Sequence, residues 1–127
     1  MISHLDHLVL SVSDIKRSCD FYQRVLGMEV VTFGENRKAL CFGKQKINLH
    51  SASHPIQPHA LSVMRGSADL CLISELSIPL VCKHLEKESV KIELGPVERT
   101  GACGPIQSVY FRDPDGNLLE VGHYAKR

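Results

Sequence analysis

The 127-residue chain has no tryptophan, only 6% aromatic residues and no excess of one charge, with 15 Lys and Arg against 14 Asp and Glu and a net charge of +1. A balanced chain carries no electrostatic footprint for a nucleic-acid backbone or an anionic membrane, so no polyanion partner is expected. The partner is expected to be a small molecule or another protein. No run approaches the ~18 apolar residues of a membrane span, and Met1-Ile2-Ser3-His4-Leu5-Asp6-His7 lacks the basic and apolar stretches of a secretory signal. A cytoplasmic protein is the expectation. The five cysteines (19, 41, 71, 82 and 103) are odd in number and never form C-x-x-C, and all but Cys103 lie in apolar stretches. Reduced packing thiols are expected of those four, with Cys103, in Gly101-Ala102-Cys103-Gly104-Pro105, exposed and reactive.

What is present suffices for one globular domain, since a chain of this size buries about two thirds of its unfolded surface without disulfides. Residues 5–12 read as a strand, and Ser13-Asp14 as helix caps. Ile15, Cys19, Tyr22 and Leu26 form a helical stripe over 15–26, ended by Gly27. Short strands follow near 28–33, 38–42 and 46–50, with Gly43-Lys44-Gln45 as the last turn. Residues 51–68 carry two prolines and a glycine without a sustained period, and read as a connector. The first pattern then returns, with Asp69-Leu-Cys-Leu-Ile73 echoing His7-Leu-Val-Leu-Ser11. A second helix fits 78–88 on Ile78, Val81, Cys82 and Leu85, capped by Ser77 with Pro79 in its first turn. Strand-like segments near 90–94, 107–112 and 117–123 complete the unit, the last two joined by an Asp113-Pro-Asp-Gly-Asn117 turn. Between them Arg99-Thr-Gly-Ala-Cys-Gly-Pro105 reads as a mobile rim loop with glycine hinges. The fold class is α+β. Two tandem βαβββ modules, about 1–52 and 68–127 with a connector at about 53–67, form a curved mixed sheet with a concave site in one domain.

Strand parity sorts these residues by face. Leu8, Leu10 and Val12 oppose His7, Val9 and Ser11; Leu70 and Leu72 oppose Asp69, Cys71 and Ile73; Ile47 and Leu49 oppose Asn48 and His50; Leu119 and Val121 oppose Glu120. Each half thus carries polar residues on the face away from its helix, which sets His7, His50 or Asn48, Asp69 and Glu120 around one point. Any one of them alone reads as a solvated surface residue. Together, mixed imidazole and carboxylate donors suit a divalent transition metal (Zn, Fe(II), Mn, Co or Ni) with open positions for substrate.

Those residues also carry a resemblance. Leu5-Asp-His-Leu-Val-Leu-Ser-Val-Ser-Asp-Ile15, Phe21-Tyr-Gln-Arg-Val-Leu-Gly-Met28, Arg37-Lys-Ala-Leu40, Lys46-Ile-Asn-Leu-His50, Gly66-Ser-Ala-Asp-Leu-Cys71, Gly95-Pro-Val-Glu-Arg-Thr-Gly101 and Phe111-Arg-Asp-Pro-Asp-Gly-Asn-Leu-Leu-Glu120 span nearly the whole chain. The sequence resembles the vicinal oxygen chelate superfamily of glyoxalases, bleomycin-resistance proteins and dioxygenases, and within it the glyoxalase-domain-containing protein 5 group and its bacterial virulence-protein relatives. The resemblance implies His7 as the ligand of the first strand and Glu120 as that of the last. Asp69 stands where many relatives have His. Matching Leu119-Glu-Val121 to Ile47-Asn-Leu49 sets Asn48 opposite Glu, whereas His50, on the same face, is the better ligand; two strand residues span ~6.6 Å, so one coordination position takes only one of them. His50 is favoured, with Asn48 as the alternative.

The resemblance implies a metal-dependent enzyme, lactoylglutathione-lyase-like or dioxygenase-like, whose oxygen-rich substrate chelates the metal while Glu120 shuttles a proton. Arg37 and Arg99 are candidates for gripping substrate anions. A non-catalytic binder of the bleomycin-resistance type is the alternative, followed by a thiol transferase of the fosfomycin-resistance type. Relatives of this kind imply a homodimer.

Overall fold

The computed structural model describes residues 1–125 and divides into two compact units, Met1–Ser67 and Ala68–Arg127. The first unit runs β1 (His7–Val12), α1 (Ile15–Leu26), β2 (Glu29–Phe33), β3 (Arg37–Phe42) and β4 (Gln45–Ser51). Its sheet has the order β1-β4-β3-β2, with β1 and β4 parallel and the other pairs antiparallel. The second unit repeats this with β5 (Asp69–Ile73), α2 (Ile78–Lys87), β6 (Leu94–Gly101), β7 (Gly104–Arg112) and β8 (Leu118–Tyr124), in the order β5-β8-β7-β6. The tandem βαβββ reading therefore holds, each module building its own four-stranded mixed sheet.

Local chemistry explains the ends of α1. The Asp14 side chain accepts a hydrogen bond from the Arg17 amide at 3.0 Å, capping the first turn. At the other end Gly27 takes the left-handed conformation (φ 68°), and the Gly27 and Met28 amides donate to the carbonyls of Gln23 and Tyr22. One expectation about this helix needs correction. Its buried face is Ser18, Phe21, Tyr22 and Val25; of the stripe read from sequence only Tyr22 is buried, and Ile15, Cys19 and Leu26 flank it. Phe21 and Tyr22 pack edge to face with ring centroids 5.4 Å apart, and small Ser18 lets the helix approach the sheet. In α2 the anticipated Ile78, Val81 and Leu85 are buried.

Each sheet is apolar towards its helix. In the first, Leu10, Val12, Leu40, Ile47 and Leu49 are buried; in the second, Val109, Phe111, Leu119 and Val121. Fully burying side chains of this kind contributes roughly 1.5–3 kcal/mol each. The opposite faces carry the polar residues, as strand parity required.

Three further expectations are overturned. Residues 90–93 form no strand, and the edge strand is β6, Leu94–Gly101. Its register against β7 shifts between Leu94 and Val97, where Pro96, lacking an amide donor, sits in the irregularity. Glycine is required beside it, since a Cβ on Gly95 would lie 2.6 Å from the Ser108 carbonyl oxygen. Arg99–Pro105 is no rim loop, because Gly101 pairs with Gly104 across a two-residue turn and the Cys103 amide donates to the Tyr124 hydroxyl at 3.0 Å. Finally, none of the five cysteines is fully buried, and Cys71, on the polar face of β5, is exposed like Cys103.

The Asp113–Asn117 turn joins β7 to β8. The carboxylate of Asp113 accepts from the amides of Asp115 and Asn117 and from the Asn117 side-chain Nδ2, at 2.8–2.9 Å. The buried Asn117 in turn accepts from the Ala68 amide at 2.8 Å, and the Leu118 amide donates to the Ala68 carbonyl. This turn fixes where β5 begins against β8.

Candidate functional site

Backbone register places the candidate donors in equivalent pairs, one in each unit. His7 opens β1, and two residues on, Val9 stands opposite Asn48 of β4. Asp69 opens β5, and two residues on, Cys71 stands opposite Glu120 of β8. In each sheet the two donors thus lie on one face, two residues apart along the parallel register. The register gives Glu120 its counterpart in Asn48; the counterpart of His50 is Gly122. His50 lies four residues beyond Lys46, the residue paired with His7, roughly 13 Å along the strand.

In the first unit, Nδ1 of the exposed His7 lies 2.8 Å from Oδ2 of Asp6. The bond from His7 holds the Asp6 carboxyl below its ordinary range. A carboxylate on Nδ1 selects the tautomer whose Nε2 lone pair is available to a ligand, the usual support for a metal-binding imidazole. Asn48 is buried, and its Oδ1 has no hydrogen-bond partner. A buried oxygen in that state calls for a donor or a cation. His50 is differently placed, its Nε2 lying 3.2 Å from Arg37 Nη2. Burial, and then Arg37, push its pKa down, keeping the imidazole neutral.

In the second unit, Oε2 of the half-buried Glu120 accepts from the Ser108 hydroxyl at 2.7 Å. Cys71 lies against the same carboxylate; burial, then the charge of Glu120 and the hydrogen bond between them, push its thiol up to about 11. That thiol stays protonated at neutral pH, so it is no thiolate ligand in this state. Asp69 is exposed in the field of Arg112, which is itself held by both oxygens of Glu93 at 3.0 Å. Arg99 donates from Nε to the Tyr110 hydroxyl at 3.0 Å and from Nη1 to the Glu98 carbonyl, with its guanidinium 5.5 Å from the Tyr110 ring. Tyr110 stands opposite Glu120 across the β7–β8 ladder.

The register therefore sets His7 and Asn48 on one face of the first sheet and Asp69 and Glu120 on one face of the second, while His50 contacts Arg37. Among the described residues no three His, Cys, Asp or Glu side chains cluster closely enough to hold a metal ion. The first unit thus offers an imidazole and an unpartnered amide oxygen, and the second two carboxylates; each is a donor type that divalent transition metals accept. Asp6, Ser108, Tyr110, Phe33 and Lys46 escaped the sequence reading. Alternation exposes that Lys46, Ser108 and Tyr110 share faces with Asn48 and Glu120, but their contacts follow from cross-strand pairing.

Residues 4–121 match the Glyoxalase/Bleomycin resistance protein/Dioxygenase superfamily. The chain is 52% identical over 125 residues to a virulence protein, STM3117, of Salmonella typhimurium, covering 98% of this chain and 87% of that protein. It is 50% identical over 123 residues to the glyoxalase domain-containing protein RDO1 of Mycosarcoma maydis, covering 97% and 69%. Among solved structures, an integron cassette protein from the mobile metagenome of V. cholerae superposes with a TM-score of 0.96 at 55% identity, covering 98% of both chains.

Proposed function

This chain belongs to the glyoxalase/bleomycin resistance protein/dioxygenase superfamily, and we propose that within it the protein is a divalent-metal-dependent enzyme acting on a small oxygen-rich substrate. The candidate donors of the first unit are His7 with Asn48, His50 being the second choice in place of Asn48; those of the second unit are Asp69 with Glu120. The observation that carries this reading is the unpartnered Oδ1 of buried Asn48 at the register position that Glu120 occupies in the other unit. A divalent metal held by these residues would supply Lewis acidity towards substrate oxygens.

The residues themselves divide the remaining work. The Asp6 carboxylate orients the His7 imidazole. Glu120 is held at Oε2 by the Ser108 hydroxyl, with the Cys71 thiol bonded to the same carboxylate, and serves as ligand or proton carrier. Ser108 is fully buried, so the carboxylate is fixed from within the sheet. Tyr110, held by Arg99, presents a hydroxyl on the same face and orients substrate beside Glu120.

A second reading is favoured by one residue. Asn48 carries an amide where a carboxylate could have taken a proton, which removes a general base from the first unit and suits a non-catalytic binder of the bleomycin-resistance type. Metal analysis after reconstitution with Zn, Fe(II), Mn, Co and Ni separates the two. The enzyme reading expects stoichiometric metal that is lost in His7→Ala and in Glu120→Ala, with the circular dichroism spectrum unchanged. Metal content unaltered in both variants would remove these ligands, and no uptake by wild type would leave the binder. With metal loaded, turnover of the methylglyoxal–glutathione adduct or oxygen consumption with a catechol identifies the reaction.

A further inference from the structure

Most arginines of this protein have a conventional partner. Arg112 forks onto Glu93, Arg24 reaches Asp20, Arg17 reaches Ser13, and Arg99 binds Tyr110 and a carbonyl. Arg37 does not. Among the described residues no carboxylate pairs with it; its neighbours are Nε2 of His50 at 3.2 Å and the ring of Phe33, whose centroid lies 4.8 Å from the guanidinium carbon. Its Nε is buried and has no acceptor. Leaving a guanidinium donor dry and unpaired costs free energy that a resident group on the protein does not offset here.

A second cation shares the same ring. Lys46 Nζ lies 4.3 Å from the Phe33 centroid, so two half-buried positive charges are stacked on one ring. Each gains modestly from the ring quadrupole, and each repels the other. The acid that feels Lys46 is Asp6, already bonded to His7. Because His50 accepts through Nε2, its Nδ1 carries the proton and adds a neutral donor to the group. An anion with two or three oxygens is the chemical complement of this group, offering a planar fork to Arg37 and a counter-charge to Lys46, while His50 holds the Arg37 guanidinium in place.

We propose that the sheet face of the first unit turned away from α1 binds an oxyanion, carboxylate or phosphate, between Arg37, Lys46 and His50 beside the ring of Phe33, and that the ligand of this protein is accordingly an acidic small molecule. The site stands on first-unit residues alone and does not require the metal of the preceding section.

The test is calorimetric titration of the full, metal-free chain with inorganic phosphate and, separately, with malonate. Wild type is expected to bind at least one of them, the tighter identifying the oxyanion, with Arg37→Gln weakening it at least about tenfold and Arg37→Lys less, as loss of a bidentate fork requires. Arg24→Gln serves as the surface control and melting curves report folding. The Arg37 Nε–Hε resonance should shift on binding. Absence of binding to both probes, affinity unchanged in folded Arg37→Gln, or a silent Nε–Hε signal overturns the proposal. Binding that appears only after metal is added and survives Arg37→Gln also overturns it, while leaving the metal reading intact. Arg37-dependent binding by a protein that takes up no metal does the reverse.

Discussion

Replacing Asn117 with Ala tests whether the turn between β7 and β8 holds the second unit together. The substitution keeps the backbone bond from residue 117 to Asp113 Oδ1 and deletes two side-chain bonds: Nδ2 to Asp113 Oδ2 at 2.8 Å, and Oδ1 from the Ala68 amide at 2.8 Å. A bond to a charged carboxylate contributes about 1.5–3 kcal/mol and a neutral one about 0.5–1.5 kcal/mol, so the expected loss is roughly 2–4.5 kcal/mol. Against a total stability of about 5–15 kcal/mol that is a large fraction. Urea denaturation followed by far-UV circular dichroism should show the midpoint falling with an unchanged slope. Hydrogen exchange should locate the damage. The Leu118 amide, bonded to the Ala68 carbonyl, is expected to exchange faster under native conditions, while α1 amides in the first unit keep their protection. A variant within about 0.5 kcal/mol of wild type, the range of an ordinary surface substitution, would refute the assignment of this turn as the clamp that sets β5 against β8.

Two further outcomes follow from titrating groups. Cys71 is exposed, yet its thiol is pushed up to about 11, which lowers its thiolate fraction roughly a hundredfold against an ordinary cysteine; iodoacetamide at pH 7.5 should label Cys71 more slowly than free cysteine, and Glu120→Gln should accelerate it. Labelling of wild-type Cys71 at the free-cysteine rate would contradict the contact. His50 is shifted down, by burial first and Arg37 second, so the folded protein binds that proton more weakly than the unfolded chain and loses stability as pH falls below about 6.5. Its carbon-13 titration in the metal-free protein should move up in Arg37→Gln without returning to the ordinary value, and a wild-type midpoint above about 6.5 would contradict the geometry.

Much of this fold is legible because its signals are local. Asp14 and Gly27 mark the ends of α1 through their own side-chain and backbone chemistry, and alternation in His7–Val12 and Asp69–Ile73 fixes which residues face each helix. The rotation of α1 is not local: Ser18 and Phe21 point inward because the sheet leaves room for them, and the stripe centred on Ile15 and Leu26 ends up beside the core. Pro96 and two glycines, Gly95 and Gly101, hid β6, since a strand that carries an irregularity has no clean period to read. The candidate donors His7, Asp69 and Glu120 could be named from residue type and parity. That Asn48 stands opposite Val9 and His50 opposite Ser11 is a matter of the β1–β4 register, a property of two segments about forty residues apart that neither segment encodes alone. The same holds for Phe33 with Lys46 and Ser108 with Glu120, whose contacts arise only once strands pair.

The correspondence between His50 and Gly122 sets different rules for change in the two repeats. A Cβ on Gly122 would meet Ile106 Cδ1 at 2.8 Å and Ser108 Oγ at 3.2 Å, the hydroxyl that holds Glu120. Any side chain there disturbs the carboxylate. At position 50 the same register place holds a full imidazole reaching Arg37. One register place thus admits a large polar side chain in the first repeat and demands glycine in the second, so the two copies of the unit tolerate different substitutions at the same point of the fold.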